Sequence, residues 1–439
     1  MLNLEVYKTA WRNKELRNKI LFVLGILLLF RAITFIPVPV PNAAGLQRFL
    51  LNLFQNNNLL GFANLFSGGA MSNFSVVLMG VGPFINASII IQLLSHVVPK
   101  LEALTKEGEQ GRNKLNQYTR VLTIPLAALQ SFGMVAFIRQ ATSSAGQADL
   151  IGNPTLIQWI TMITTITAGT MFLVWLGELI TEKGVGNGIS LLIFAGIVAD
   201  LPRSIGQVAS LAQGDSSQLF SLILFAIISL LIVAGIVFIN EGQRNIPISY
   251  AKRTVGVRTY SSVDTHLPIK VITAGVIPII FALAFLSVPG FLGQALKEAK
   301  TGWIADIASN LSVWFSPTNT VYAVTYFLLV IAFTYFYTTV VFNPKDVAEN
   351  LQKRSGFIPG VRPGTETQKY LAALIRRITL AGSLALAIIA VLPFMLQRLS
   401  PQSSALNIGG TGLLITVAVV IETMRQIEAQ ALTATYDKY

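Results

Sequence analysis

The chain has 439 residues, of which 53% are hydrophobic and only 12% charged, about half the ~25% charged content of soluble domains, so the bilayer is its natural solvent. It has no cysteine and two histidines, His96 and His266, which excludes disulfides, thiolate metal sites and iron–sulfur clusters and argues against a multi-histidine metal site. The formal net charge is +12, and where that charge lies carries more information than its size.

Ten apolar stretches approach the roughly 20 residues that a helix needs to cross a bilayer. They are continuous rather than alternating, which disfavours a membrane β-barrel. The first, 20–36, contains Arg31 and leaves through Pro37, Pro39 and Pro41. It is too long for a signal-peptide core and no small-residue cleavage site follows it. The next apolar segment, 59–71 (LLGFANLFSGGAM), is too short to span and holds Asn64, Ser67, Gly68 and Gly69. It reads as a re-entrant half-helix on the non-cytoplasmic side, or as an ordinary amphipathic surface helix. Spans follow at 75–97, 121–138 and 155–176. The fifth, 186–201, is short and begins at the cluster Gly184, Gly186, Gly188. Spans at 217–239 and 271–293 flank a turn-rich loop, 240–270. The span at 319–342 precedes a second such loop, 343–377. There Pro359-Gly360 and Pro363-Gly364 bracket Arg362, which reads as an arginine held out on a tight turn. Such a guanidinium suits phosphate or carboxylate partners, whether ribosomal RNA, an acidic protein face or lipid headgroups. The last spans are 378–396 and 411–427, the latter running into Glu422 and Arg425.

The basic residues orient these spans. The N-terminus, the loops after spans 2, 4, 6 and 8 and the C-terminal tail hold 25 of the 32 Lys and Arg. The opposite loops hold six, and Arg31 completes the total. The basic side is cytoplasmic by the positive-inside rule, and an even number of spans places both termini there. Taken alone, this bias expresses topology and nothing more.

The central stretches of the spans contain no Asp, Glu, Lys or Arg; Arg31, Glu178 and Glu422 lie toward ends. Ion-coupled transporters carry ionisable groups at depth, so the alternative of a polytopic solute transporter is disfavoured. There is no P-loop, no G-x-S-x-G and no H-E-x-x-H, hence no sign of an enzyme or a resident cofactor. The chain reads as a passive conduit whose energy comes from a partner.

Several runs resemble the SecY family, the large channel subunits of bacterial Sec protein-conducting translocons. They are SVVLMGVGPFINASIIIQLL in span 2, KEGEQGRNKLNQYTR after it, GVGNGISLLIFAGIV opening span 5, HLPIKVITAGVIPIIFA at span 7, FIPGVRPGTET in the second loop and GGTGLLI at span 10. The resemblance covers essentially the whole chain. It implies an all-α polytopic fold of ten transmembrane helices in two inverted five-helix halves, residues 1–206 and 207–439, around a central pore. Spans 2, 3, 7 and 8 would line a lateral gate. The segment 59–71, with Phe62, Asn64, Leu65, Phe66, Ser67, Gly68 and Gly69, would be the plug.

Carried over motif by motif, the resemblance places the pore ring at Val81, Ile85, Ile193, Ile280 and Ile415, with Leu283 as a weaker member. By periodicity alone each is a plain packing residue. An aliphatic collar cannot coordinate ions and resists wetting, yet can yield around a passing chain. Gln92 and Gln130 lie on gate helices. They either tie the closed gate by interhelical hydrogen bonds, worth about 0.6 kcal/mol each, or face a water-filled funnel. A segment of ten leucines gains about 3–6 kcal/mol on entering lipid, so two exits suffice to sort substrates. Docking of the motor ATPase SecA or the ribosome would fall to Lys252, Arg253, Arg258 and Arg362; where the family often pairs arginines, Val257 stands before Arg258. Further implied partners are small SecE- and SecG-type subunits, signal sequences, nascent chains and lipids. The implied location is the bacterial inner membrane, or a thylakoid where one exists.

Overall fold

A computed structural model describes residues 11, 13–56, 64, 67–146, 150–152, 154–212, 216–250, 254–255, 258–259, 265–272, 275, 277–296, 302–316, 319–399 and 409–436. The first half contributes α1 (Lys14–Ile33), α2 (Ala43–Asn56), α3 (Gly82–Val97), α4 (Pro99–Lys106), α5 (Glu109–Ser144), α6 (Leu156–Lys183) and α7 (Gly188–Ala212). The second contributes α8 (Ser216–Glu241), strands β1 (Gln243–Tyr250), β2 (Thr254–Val255), β3 (Arg258–Thr259) and β4 (Thr265–Lys270), then α9 (Ile277–Leu296), α10 (Gly302–Trp314), α11 (Thr320–Val341), α12 (Pro344–Lys353), β5 (Gly356–Phe357), α13 (Thr365–Leu399) and α14 (Gly409–Tyr436). Each of the ten apolar stretches overlaps a helix, namely α1, α3, α5–α9, α11, α13 and α14. Among the described residues, α5, α6, α11 and α13 are long and apolar enough to span by length and composition alone.

Helix ends follow local chemistry. Asn13 caps α1 by accepting from the Glu15 amide at 3.1 Å, and Glu15 and Arg31 complement the two ends of its dipole. Thr155 and Gln158 form a reciprocal capping box on α6. Between α3 and α4 the chain bends by 98°, where Pro99 opens α4 and cannot continue the preceding helix. Between α6 and α7, a Cβ on Gly188 would collide with the Gly177 carbonyl oxygen. The glycine cluster therefore permits a close helix–helix turn, fixed by the Gly188 amide donating to Thr181 Oγ1 at 2.9 Å.

Three expectations need correction. Span 2 does not begin as a helix at Ser75: residues 67–81 form turns, and α3 starts at Gly82. Positive φ angles at Gly68, Gly69, Phe74 and Gly80 break any helical run through this stretch. Within the expected half-helix 59–71, Asn64 is helical while residues 67–71 are turns; Phe62, Leu65 and Phe66 lie outside the described residues. The fifth helix is longer than its apolar stretch, continuing through Pro202 to Ala212.

The two long loops are not irregular either. Strand β1 pairs antiparallel with both β4 and β5, so one three-stranded sheet joins loop 240–270 to loop 343–377. Ile246, Ile269, Ile358, Leu371 and Ile375 form its own small core.

Contacts between the halves occur on two sides. On one, α7 packs on α8 and α14, and α1 on α14. On the other, α9 packs on α3 and α5. A single large buried cluster runs between them, and a second one lies among α2, residues 71–78, α5 and the start of α6.

Candidate functional site

Val81 and Ile85 sit one turn apart where α3 begins. Val81 is its N-cap residue, and Pro83 stands in the first turn, where a missing N–H costs nothing. Ile280 and Leu283 are three apart on α9 and share a face. Ile193 lies in α7 and Ile415 in α14. All six are buried, Ile85 being the most exposed at 8%, and all six belong to the same hydrophobic cluster. Sequence motifs far apart in the chain thus contribute to one buried cluster that extends over α3, α7, α9 and α14. Among the described residues no group of acidic or histidine side chains could hold a metal ion.

Beside this cluster lies the seat formed by residues 67–81. Its backbone is non-helical, which is tolerated at membrane depth only when buried in protein and satisfied there. Val38 N donates to the Phe74 carbonyl at 2.8 Å and Val76 N to the Ile36 carbonyl at 3.0 Å. Ser75 Oγ donates to the Ile33 carbonyl and Asn73 Nδ2 to the Thr34 carbonyl, at 3.0 and 3.2 Å. Asn64 closes the turn, its Oδ1 accepting from Ser72 N at 2.9 Å and its carbonyl from Gly69 N at 2.9 Å. Ser67, Ala70, Phe74 and Ser75 are buried. On the outer side, Gly169 of α6 lies so close that a Cβ there would strike the Val76 carbonyl oxygen.

The far end of α3 is built differently. Gln92 does not bridge helices: its Nε2 donates to Ser88 Oγ on the same helix at 3.2 Å, and its buried Oε1 has no partner among the described residues. Gln130 is half-buried. Instead His96, at the far end of α3, places its ring edge-on to Phe336 of α11, with centroids 5.1 Å apart. Its Nδ1 lies 3.0 Å from the Gln92 carbonyl oxygen and 3.3 Å from Ser95 Oγ. In the sequence His96 figures only in the argument against a multi-histidine metal site. Its position at the end of an amphiphilic run in span 2 was the available signal.

At the basic end, Arg362 is exposed on its turn, with Gly360 and Gly364 at φ +84° and +97°. Its carbonyl accepts from Thr367 Oγ1 at 2.9 Å, tying the turn to the start of α13. For Arg258 the backbone alone is described, opposite Val255 in the β2–β3 hairpin; Lys252 and Arg253 lie outside the described residues. Glu102 accepts from Lys106 Nζ at 2.7 Å, which holds its carboxyl below the usual range. Arg425 pairs with Glu241 and donates to the Asn240 carbonyl at 2.8 and 3.0 Å, tying α14 to the end of α8. Burial, and then the Arg425 guanidinium, push Lys270 below the ordinary lysine value.

Comparison with known proteins agrees with this arrangement. The SecY family profile matches residues 75–424. Protein translocase subunit SecY of Streptomyces scabiei is 41% identical over 444 residues, covering 99% of each chain. The Halalkalibacterium halodurans protein of the same name is 43% identical over 436 residues, covering 97% of each. Among solved structures, one described as a protein conducting channel superposes with a TM-score of 0.66 at 19% identity, over 94% of this chain and 92% of the other. Sec61 in a canine ribosome–channel complex gives 0.64 at 19% identity, with the same coverage. By its sequence across nearly its full length, this chain belongs to the SecY family.

Proposed function

We propose that the chain is the channel-forming subunit of a Sec-type protein translocase. It passes unfolded secretory polypeptides across the membrane and releases hydrophobic segments sideways into lipid. One observation carries this reading: six aliphatic residues, from α3 with its N-cap, α7, α9 and α14, belong to one large buried cluster. A purely aliphatic constriction seals by resisting water, not by binding ions.

In this reading α1–α7 and α8–α14 are two halves of a clamshell, and the expected boundary at 206/207 shifts to beyond Ala212 because α7 continues through it. The α7–α8 side is the hinge and the α9 contacts with α3 and α5 are the mouth, or lateral gate. The segment 59–71 is the plug, and the turns at 67–81 are its mooring. Both termini and the strand-bearing loops face the cytoplasm of a bacterial inner membrane, where most of the positive charge lies. The exposed Arg362 turn and the β2–β3 hairpin with Arg258 offer positive charge to SecA or the ribosome. SecE- and SecG-type subunits complete the complex. The lack of charge in the central stretches of the spans supports a conduit over a coupled transporter.

The test is ion conductance of the reconstituted channel without substrate. Ile280→Asn places an amide in the collar and lowers the cost of wetting it. The variant is expected to leak small ions and to accept substrates with defective signal sequences, while the rest of the ring keeps part of the seal. Conductance identical to wild type removes the basis for the ring.

A further inference from the structure

Arg31 has no part in the collar, the seam or the basic surface. It lies in the last turn of α1, half-buried, inside an apolar stretch where a guanidinium is costly. None of the ion pairs among the described residues includes it. Its charge is answered in two other ways. Nη1 donates to the Gly68 carbonyl oxygen at 2.8 Å, and the guanidinium carbon sits 4.8 Å above the Phe35 ring, within cation–π range.

The Gly68–Gly69 turn is shaped for this contact. Both glycines have φ in the left-handed region, +68° and +80°, which turns the Gly68 carbonyl toward α1 at little steric cost. A Cβ on Gly68 would already meet Gly196 Cα of α7 and Phe30 Cζ at 3.0 Å. The turn is thus held between α1 and α7, and Arg31 is the charged side chain that ties it.

The kind of tie matters. Breaking a buried arginine–carboxylate pair strands a charge. Breaking an arginine–carbonyl bond strands none, because a long side chain near a helix end can swing its head to water. We infer that Arg31 is a positioning residue: a releasable clasp that holds the Gly68–Gly69 turn against α1 and so keeps the resting channel closed. This rests on the channel reading above, with the turn as the mooring of the plug.

The experiment compares wild type, Arg31→Gln and Arg31→Lys in proteoliposomes, reading resting ion conductance and translocation, with melting temperature in detergent as the control for folding. Losing a charge-assisted hydrogen bond is expected to raise resting conductance by about tenfold in Arg31→Gln, with translocation retained and melting temperature little changed. Arg31→Lys is expected to fall between, since an ammonium still donates but lacks the planar face for Phe35. A folded Arg31→Gln channel as tight as wild type overturns the clasp, as does a lowered melting temperature without a leak. Should Arg31→Gln not fold, wild-type tightness in Arg31→Lys overturns it equally. Ile280→Asn keeps the two claims apart. If wild type translocates and Ile280→Asn leaks while Arg31→Gln stays sealed, the clasp alone fails; if wild type does not translocate and Ile280→Asn does not leak, the channel reading fails.

Discussion

The two ends of α3 are held by different physics. At its beginning, residues 73–76 of the seat are moored to the chain that leaves α1 by directed hydrogen bonds: Ser75, Asn73 and Val76 donate to the Ile33, Thr34 and Ile36 carbonyls, and Val38 donates back to the Phe74 carbonyl. At its other end, His96 meets Phe336 through one ring edge, and Gln92 spends its amide on its own helix. Directed bonds to buried carbonyls fix position and are costly to leave unmade. An aromatic edge contact is weak and can be exchanged for another apolar surface. The contrast assigns the fixed point of α3 to its first turn and the yielding point to its last.

Substitutions at the two ends test the contrast, and the largest effect belongs at the seat. Gly169→Ala drives a Cβ into the Val76 carbonyl oxygen, a backbone atom that cannot step aside. It is expected to cost about 3 kcal/mol or more, read as a fall in melting temperature in detergent. Gly25→Ala, where a Cβ meets nothing within 4 Å, serves as the control with no loss. Next comes Ser75→Ala, which leaves the Ile33 carbonyl without its hydroxyl donor and should cost about 1–2 kcal/mol. Equal melting temperatures for Ser75→Ala and wild type would refute the mooring.

At the seam the expected effect is smaller and of another kind. His96→Ala removes an edge contact worth about 0.5–1 kcal/mol and should barely move the melting temperature. It should lower the hydrophobicity needed for lateral release by about one or two leucines, at ~0.3–0.6 kcal/mol each. A graded series of Leu/Ala segments measures this, and an unmoved threshold would show that the ring contact does not hold the gate. Smallest in stability is Arg362→Glu, expected within about 0.5 kcal/mol of wild type, because the side chain is exposed on its turn. SecA-driven translocation should nevertheless fall sharply, since reversal changes partner electrostatics and no packing. Unimpaired translocation would separate that turn from docking.

How far the sequence foretold this molecule depends on the kind of signal each part emits. Long apolar runs have little ambiguity in lipid, so each of the ten expected stretches overlaps a helix, although 75–81 and the start of 271–293 lie outside theirs. The residues that the resemblance assigns to the pore ring, Val81 to Ile415, carry no chemistry that marks them individually; all six lie in the large buried cluster, among many other residues of the interior helices. The seat was misread because Ser75 to Val81 is as apolar as a helix. The contrary signals were Gly80 and Gly82 nearby and the left-handed backbone at Phe74, φ +46°, which no residue type announces. The β1 strand was legible in principle, as Asn245 to Ser249 alternates apolar and polar, and was hidden by the turn residues around it. Arg31 and His96 were visible as residue types, but their partners, a carbonyl 37 residues away and a ring on α11, exist only in three dimensions.

The strand pairing of β1 with β5 makes one mechanical body of two loops that the chain order keeps apart. Strand β1 leaves α8 after a single residue, and β4, its other neighbour, leads within seven residues to α9. Ser249 and Tyr250 are paired with Phe357 and Gly356, five residues from the Arg362 turn. A load applied at that turn therefore enters a sheet whose edge strand β4 is followed in the chain by α9, the helix lying against α3 and α5.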